Sequence, residues 1–260
     1  MAGSLEGPLA KWTRAKSNLL SLNTEISDVW PPTQIWPVRS ELHRAGLECR
    51  FYVGTLPEIE PEWALAVGEI LFDLRSALDH LAYQLHVRHF KGRAPKSVEG
   101  VTQFPIYDCP DKWRANAYRI KNLARRDRIA LHHLQPYIAR NDKWSITRWA
   151  LSRLNSWHNW DKHRKLHLIT AAKDSTIIVD PTPAFRIDAE TFYGAVKPHG
   201  EIERWTFSKA PQEPPHHPGA FLNVAIQEPG DDPDATLSHY TLQVLASSVL
   251  RVIQRFADRF

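Results

Sequence analysis

The run PEWALAVGEILFDLRSALDHLAYQLHVRH, residues 61–89, decides the fold class. Val67, Leu71, Leu74, Leu78, Leu81 and Leu85 recur at spacings of 4, 3, 4, 3 and 4, which lays an unbroken apolar stripe along one face of a long helix. Glu69, Asp73, Ser76, His80 and Tyr83 keep the same rhythm on the opposite side. Pro61 suits the first helical turn, where an N–H would have no partner anyway.

Working outward, Leu9 to Ile26 reads as a first helix, broken by Trp30-Pro31-Pro32. Leu47, Cys49, Phe51 and Val53 alternate with polar neighbours, the period of a half-buried strand, and Ala45-Gly46 supplies a hairpin turn before it. Helices are expected at about 112–122, 126–138 and 144–164, with Asn141 or Asp142 capping the last. Thr176 to Val179, Ile202 to Phe207 and Leu222-Val224-Ile226 read as strands between proline-rich turns. A closing helix is expected from about Ala235 to Arg259. The expected architecture is α+β, mainly α: a multi-helix bundle with a small antiparallel β-sheet packed on one side. One domain over 1–260 is expected, its helical core at about 9–30, 61–165 and 235–260, its β elements at about 38–55 and 166–230.

Composition narrows the class. A chain of 260 residues with 43% hydrophobic, 24% charged and 10% aromatic residues is neither disordered, collagen-like nor a coiled-coil rod. Eleven glycines against 19 prolines argue against a glycine-rich nucleotide cradle. Cys49 and Cys109 make neither a disulfide framework nor a Cys-x-x-Cys zinc site. Met1 to Trp12 holds Glu6 and Pro8 rather than a signal-peptide core, and the apolar run Trp63 to Phe72 is too short to span a bilayer. The expectation is a cytoplasmic protein with no membrane association and no cofactor.

Charge is unevenly spread. From Lys112 to Lys165 fourteen Lys or Arg face three acids, Asp127, Asp142 and Asp161, while the remainder carries 19 basic and 26 acidic residues. The same window holds Trp113, Trp144, Trp149, Trp157 and Trp160. Cations displace counterions from a polyanion and aromatic rings stack on bases, so Arg125, Arg126, Arg128, Lys162 and Lys165 are candidate nucleic-acid contacts. A solvated helical surface with its tryptophans in the core explains the same composition.

Two clusters carry chemistry-bearing side chains: Leu74 to Leu81 within the long helix, and Asn159 to His167 at the seam before the strands. The run Gly68 to Leu81 resembles the signature of a set of uncharacterised bacterial proteins. There, too, a Phe-Pro-Ile segment (Phe104 to Ile106), a Gln-Pro-Tyr segment (Gln135 to Tyr137) and an Asp-Lys-His-Arg segment (Asp161 to Arg164) follow in this order. The likeness covers roughly residues 60 to 170 and implies no mechanism. More remotely, Arg75-x4-His80 resembles the Arg-x4–6-His pattern of HEPN domains, helical bundles that include metal-independent ribonucleases; Ser76 stands where those enzymes commonly carry Asn, His or Asp. That likeness implies an RNA partner, a homodimer, and Arg75 and His80 as a catalytic pair supported by Asp79, Asp161, His163 and Arg164.

The chemistry is coherent. Cleaving RNA without metal needs a group that titrates near neutrality beside the 2′-OH or the leaving oxygen, which suits histidine. A guanidinium stabilises the charge gathered in the transition state. Arg75 and His80 lie about 140° apart round one helix, so a second helix must complete such a site. Against this stands an i,i+4 ion pair between Arg75 and Asp79, with Asp79-His80 tying the helix to a neighbour. In the second cluster, Lys162, Arg164 and Lys165 suit phosphates, or Asp161 and Arg164 fix a turn. The His163/His167 pair, with Asp161 or His158, has the spacing of a metal-dependent hydrolase but no accompanying Glu as base, so no metal is assigned.

Overall fold

The computed structural model describes residues 3–91, 102–163, 168–177, 186–192, 196–215, 219–227 and 236–260. Its helices are α1 (Glu6–Val29), α2 (Pro61–His89), α3 (Pro110–Ala115), α4 (Arg125–His133), α5 (Ser145–His163) and α6 (Thr241–Arg255). Its strands are β1 (Val38–His43), β2 (Glu48–Val53), β3 (Leu168–Ile177), β4 (Arg186–Thr191), β5 (Glu201–Phe207), β6 (Gly219–Gln227) and β7 (Thr236–Ser238). The class is α+β, mainly α. The chain divides into two compact units, Met1–Ser21 with Leu65–Lys165 and Tyr240–Phe260, and Leu22–Ala64 with Leu166–His239.

The helical unit is organised by α2. All six members of its stripe, Val67 to Leu85, are buried, as are Ile70 and Ala77 beside them. Asp73, on the side expected to be polar, is also buried, because Arg14 and Lys11 of α1 meet its carboxylate there. Ala150, Leu151, Leu154 and Trp157 of α5 and Leu242, Leu245, Val249 and Val252 of α6 complete the core. The Trp12 indole donates to the Ala246 carbonyl at 2.8 Å, joining α1 to α6.

Three helix lengths differ from expectation. The helix expected over 112–122 stops at Ala115, and a 3₁₀ turn at Ala117–Arg119 follows. The one expected to reach 138 ends at His133; Pro136 lacks the N–H that another turn would need. The closing helix begins at Thr241, since Thr236–Ser238 is a strand instead.

The β unit holds two antiparallel sheets where one was expected, ordered β1-β2-β5-β4 and β3-β6-β7. The β1–β2 hairpin turns through Arg44, Ala45 and Gly46, all at positive φ. Phe51 packs edge-on against Trp205 at 4.7 Å, both buried. Glu48 of β2 is buried among Arg44, Arg50 and Arg204, at 3.2, 2.6 and 3.9 Å, and Arg50 in particular holds its carboxyl below the ordinary range. Gly219 opens β6 at φ 154°, where a Cβ would lie 2.3 Å from Ile35 Cγ2 and 2.6 Å from the Trp36 carbonyl oxygen; only glycine fits. The strand β4, missed in the sequence, is an edge strand carrying Arg186, Asp188 and Glu190, whose charges obscure the apolar alternation.

Candidate nucleic-acid interface

Arg75 does not stand in an open cleft. It is 8% exposed, and its Nη2 donates to the Phe104 carbonyl at 2.7 Å while lying 3.0 Å from Asp79 Oδ1. The same Asp79 oxygen accepts the Phe104 N–H at 2.8 Å. Both backbone groups of Phe104 are thus bound by one turn of α2, through the i,i+4 pair that the sequence spacing permits. Gln135, fully buried just after α4, holds the next residues: its Nε2 donates to the Pro105 and Leu131 carbonyls, and its Oε1 accepts the Tyr107 N–H at 3.0 Å. The three segments Leu74–Leu81, Phe104–Ile106 and Gln135–Tyr137 form one clasp. An extended segment in a core has unpaired amides and carbonyls, and these side chains satisfy them.

His80 is exposed, its ring beside the first turn of α1, with Nδ1 3.1 Å from where a Gly7 Cβ would sit. Asp161 of α5 instead faces Gly68 of α2: a Cβ at Gly68 would lie 2.9 Å from Asp161 Oδ1. Twelve residues of helix separate Gly68 from His80, about 18 Å at 1.5 Å per residue. Within one chain His80 and Asp161 therefore belong to different places. Asp161 lines a cleft of about 610 Å³ with Arg14, Asn18, Glu69 and the exposed Leu65 and Phe72; burial pushes its carboxyl up. Lys162 and His163 close α5, but their side chains, and Arg164, Lys165 and His167 entirely, lie outside the described residues. Among the described residues no three His, Cys, Asp or Glu are grouped as metal ligands, and none of their helices is long and apolar enough to cross a membrane.

The basic window resolves into two kinds of residue. Arg125, Arg126 and Arg128 are exposed along α4, while the acid between them, Asp127, is buried and accepts the Arg259 Nε–H at 2.9 Å. Arg126 reaches Asp127 only at 3.9 Å. Arg148, by contrast, is buried on α5 against Asp142 and the Arg140 carbonyl. The tryptophans divide similarly: Trp157 is core, Trp144 lies beneath Arg251 and Arg255 at 5.2 and 4.6 Å, and Trp149 is exposed.

One cluster escaped the sequence reading. His132 packs edge-on against Trp113 at 5.3 Å and Tyr137 at 5.9 Å, and Tyr107 meets Trp113 edge-on at 6.3 Å. Burial, then the charges of His133 and Arg140, lower its imidazole's proton affinity. Nothing in a His-His pair signals this, because its neighbours come from three separate segments. Comparison with protein-family models, curated proteins and solved structures finds no match.

Proposed function

We propose that the chain is a cytoplasmic RNA-binding protein of HEPN-like helical type, holding the phosphate backbone on the exposed arginines of α4. The observation that carries the reading is the arrangement at 125–128: three cations face outward and their one acid is turned inward to Arg259. Cations that, among the described residues, have no acid nearer than the 3.9 Å of Arg126 to Asp127 are available to replace the counterions of a polyanion.

Arg75 has no part in this reading as a catalyst. Its Nη2 is occupied in holding Phe104 and meeting Asp79, and the guanidinium is buried, which supports a binding role over cleavage. A second reading, metal-independent endoribonuclease, draws on the exposure of His80. A homodimer would have to bring a cation of the second copy to that ring.

The test is binding of a labelled RNA across a salt series. Affinity should fall steeply, with a log–log slope of about −0.7 per phosphate contacted. Replacing Arg125, Arg126 and Arg128 together by Gln should flatten the slope by about 2 on this basis. Absence of binding at low salt would end the reading. The same RNA and its all-deoxy counterpart, incubated with EDTA, separate binding from cleavage. Cutting of RNA alone, abolished by His80→Ala, would favour the endoribonuclease.

A further inference from the structure

We propose that the cleft over Trp149 is a stacking site for a base of single-stranded RNA. The inference rests on the RNA-binding reading and names the form of RNA the chain takes.

The cleft, of about 450 Å³, lies between the first turns of α5 and the preceding segment; Ile138, Arg140, Asn141, Ser145, Trp149 and Ser152 are among its lining residues. α5 buries Ala150, Leu151, Leu154 and Trp157 in the core, yet in its first turns Ile146, which shares the stripe of Ala150 and Trp157, and Trp149 on the adjoining flank are 60% and 38% exposed. Residues three apart share a helix face, so these two form one apolar patch beside the cleft. Trp149 is the exposed tryptophan of the basic window. Arg153 lies 5.8 Å from its ring centroid, a geometry that adds a cation to a stacking platform.

Charge selects the occupant. Among the described residues no carboxylate lines the cleft. The nearby Asp142 is already paired, accepting the Trp144 N–H at 2.8 Å and meeting Arg148, itself a lining residue, at 2.9 Å, and these partners, Arg148 foremost, hold its carboxyl below the ordinary range. Arg140 is exposed at the rim. An aromatic face bordered by arginines, with serine and asparagine groups able to bond base edges, matches a nucleotide whose base is unstacked. A duplex offers no such base face, since its bases cover one another.

The experiment is anisotropy of a labelled ten-nucleotide oligouridine, and of a duplex of equal length, with the full chain at low salt. Trp149→Ala should weaken single-strand binding roughly 5- to 150-fold, the equivalent of one lost base stack. Trp149→Phe should keep most of the affinity, and duplex binding should be unchanged in both. Trp149→Phe should melt as the parent does, and binding by Trp149→Ala, which gives up a ring only 38% exposed, is read below that variant's own melting transition. If Trp149→Ala binds the oligouridine as the parent does, while the triple arginine variant has lost it, the stacking site is wrong and the RNA reading stands. If the parent binds neither RNA, the RNA reading falls and the stacking site with it.

Discussion

Arg75 Nη2 and the Phe104 amide converge on a single oxygen, Asp79 Oδ1, at 3.0 and 2.8 Å. Arg75, one half of the pair that looks catalytic in the sequence, belongs to a fastening between α2 and the chain ahead of α3, while the other half, His80, stands beside Gly7 of α1. Removing Arg75 leaves the Phe104 carbonyl and the Asp79 carboxylate short of a donor. Arg75→Ala should therefore cost about 1–3 kcal/mol in urea unfolding. Arg75→Lys should recover little, because an ammonium cannot reproduce the planar fork. The double variant with Asp79→Ala should cost less than the sum of the singles, since both report one linked group. An Arg75→Ala protein within about 0.5 kcal/mol of the parent, the range of an ordinary surface change, would show that the clasp bears no weight.

Stability should fall on mild acidification. His86 is buried with Nδ1 2.9 Å from the Ala82 carbonyl and Nε2 3.2 Å from that of Arg119; burial outweighs both and lowers its pKa below 6.5. His239 is lowered in the same way, by burial against the opposing Val224 carbonyl. Below pH 6.5 the unfolded chain takes up protons that these folded histidines refuse, so full stability lies above that pH. The loss continues downward until the folded imidazoles themselves protonate. Melting temperature should drop between pH 7 and pH 5, and His86→Gln should shallow the drop. A flat profile in the parent over that range would refute the assignment.

The two thiols should differ sharply. Cys49, inward on β2, has its pKa pushed up to about 12 by burial, whereas Cys109 before α3 is half-buried. Since the thiolate is the reactive form, a thiol of that pKa at pH 8 is ionised about once in 10⁴ molecules. A disulfide reagent should titrate one thiol promptly in the folded protein and the second only on unfolding. Two prompt thiols, or loss of the prompt one in a Cys49→Ser variant, would contradict the placement of Cys49.

The fold was legible where burial writes a period into the sequence. Leu71 to Leu85 announce α2, and Leu222, Val224 and Ile226 announce β6, because each presents one face to a core. β4 and the short β7 were not legible: an edge strand needs no apolar alternation, and three residues hold too little of one. Of the candidate site, the Arg75–Asp79 ion pair was readable from its i,i+4 spacing. Its link to Phe104 was not, since a backbone carbonyl has no sequence identity. Asp73 was misjudged for a related reason: a carboxylate on a polar stripe reads as solvated until Arg14 arrives from another helix.

The contact between Gly68 and Asp161 sets the size of one last substitution's effect. Glycine inside a helix costs about 1 kcal/mol relative to alanine, so Gly68→Ala alone would ordinarily stabilise α2. Here the new methyl would sit 2.9 and 3.1 Å from the two carboxylate oxygens of Asp161. The carboxylate, the free end of its side chain, would have to swing aside, which takes back part of that gain. Gly68→Ala should therefore stabilise the parent by less than it stabilises an Asp161→Ala background, where the gain should be about 0.5–1 kcal/mol. Asp161 adds a pH signature. Its folded pKa is raised by burial, so the cost of keeping it ionised is absent below the unfolded pKa and grows as pH rises through the folded one. Asp161→Asn should raise the melting temperature at pH 7 and leave it unchanged near pH 3. If Gly68→Ala stabilises both backgrounds equally, α5 does not press Asp161 against α2.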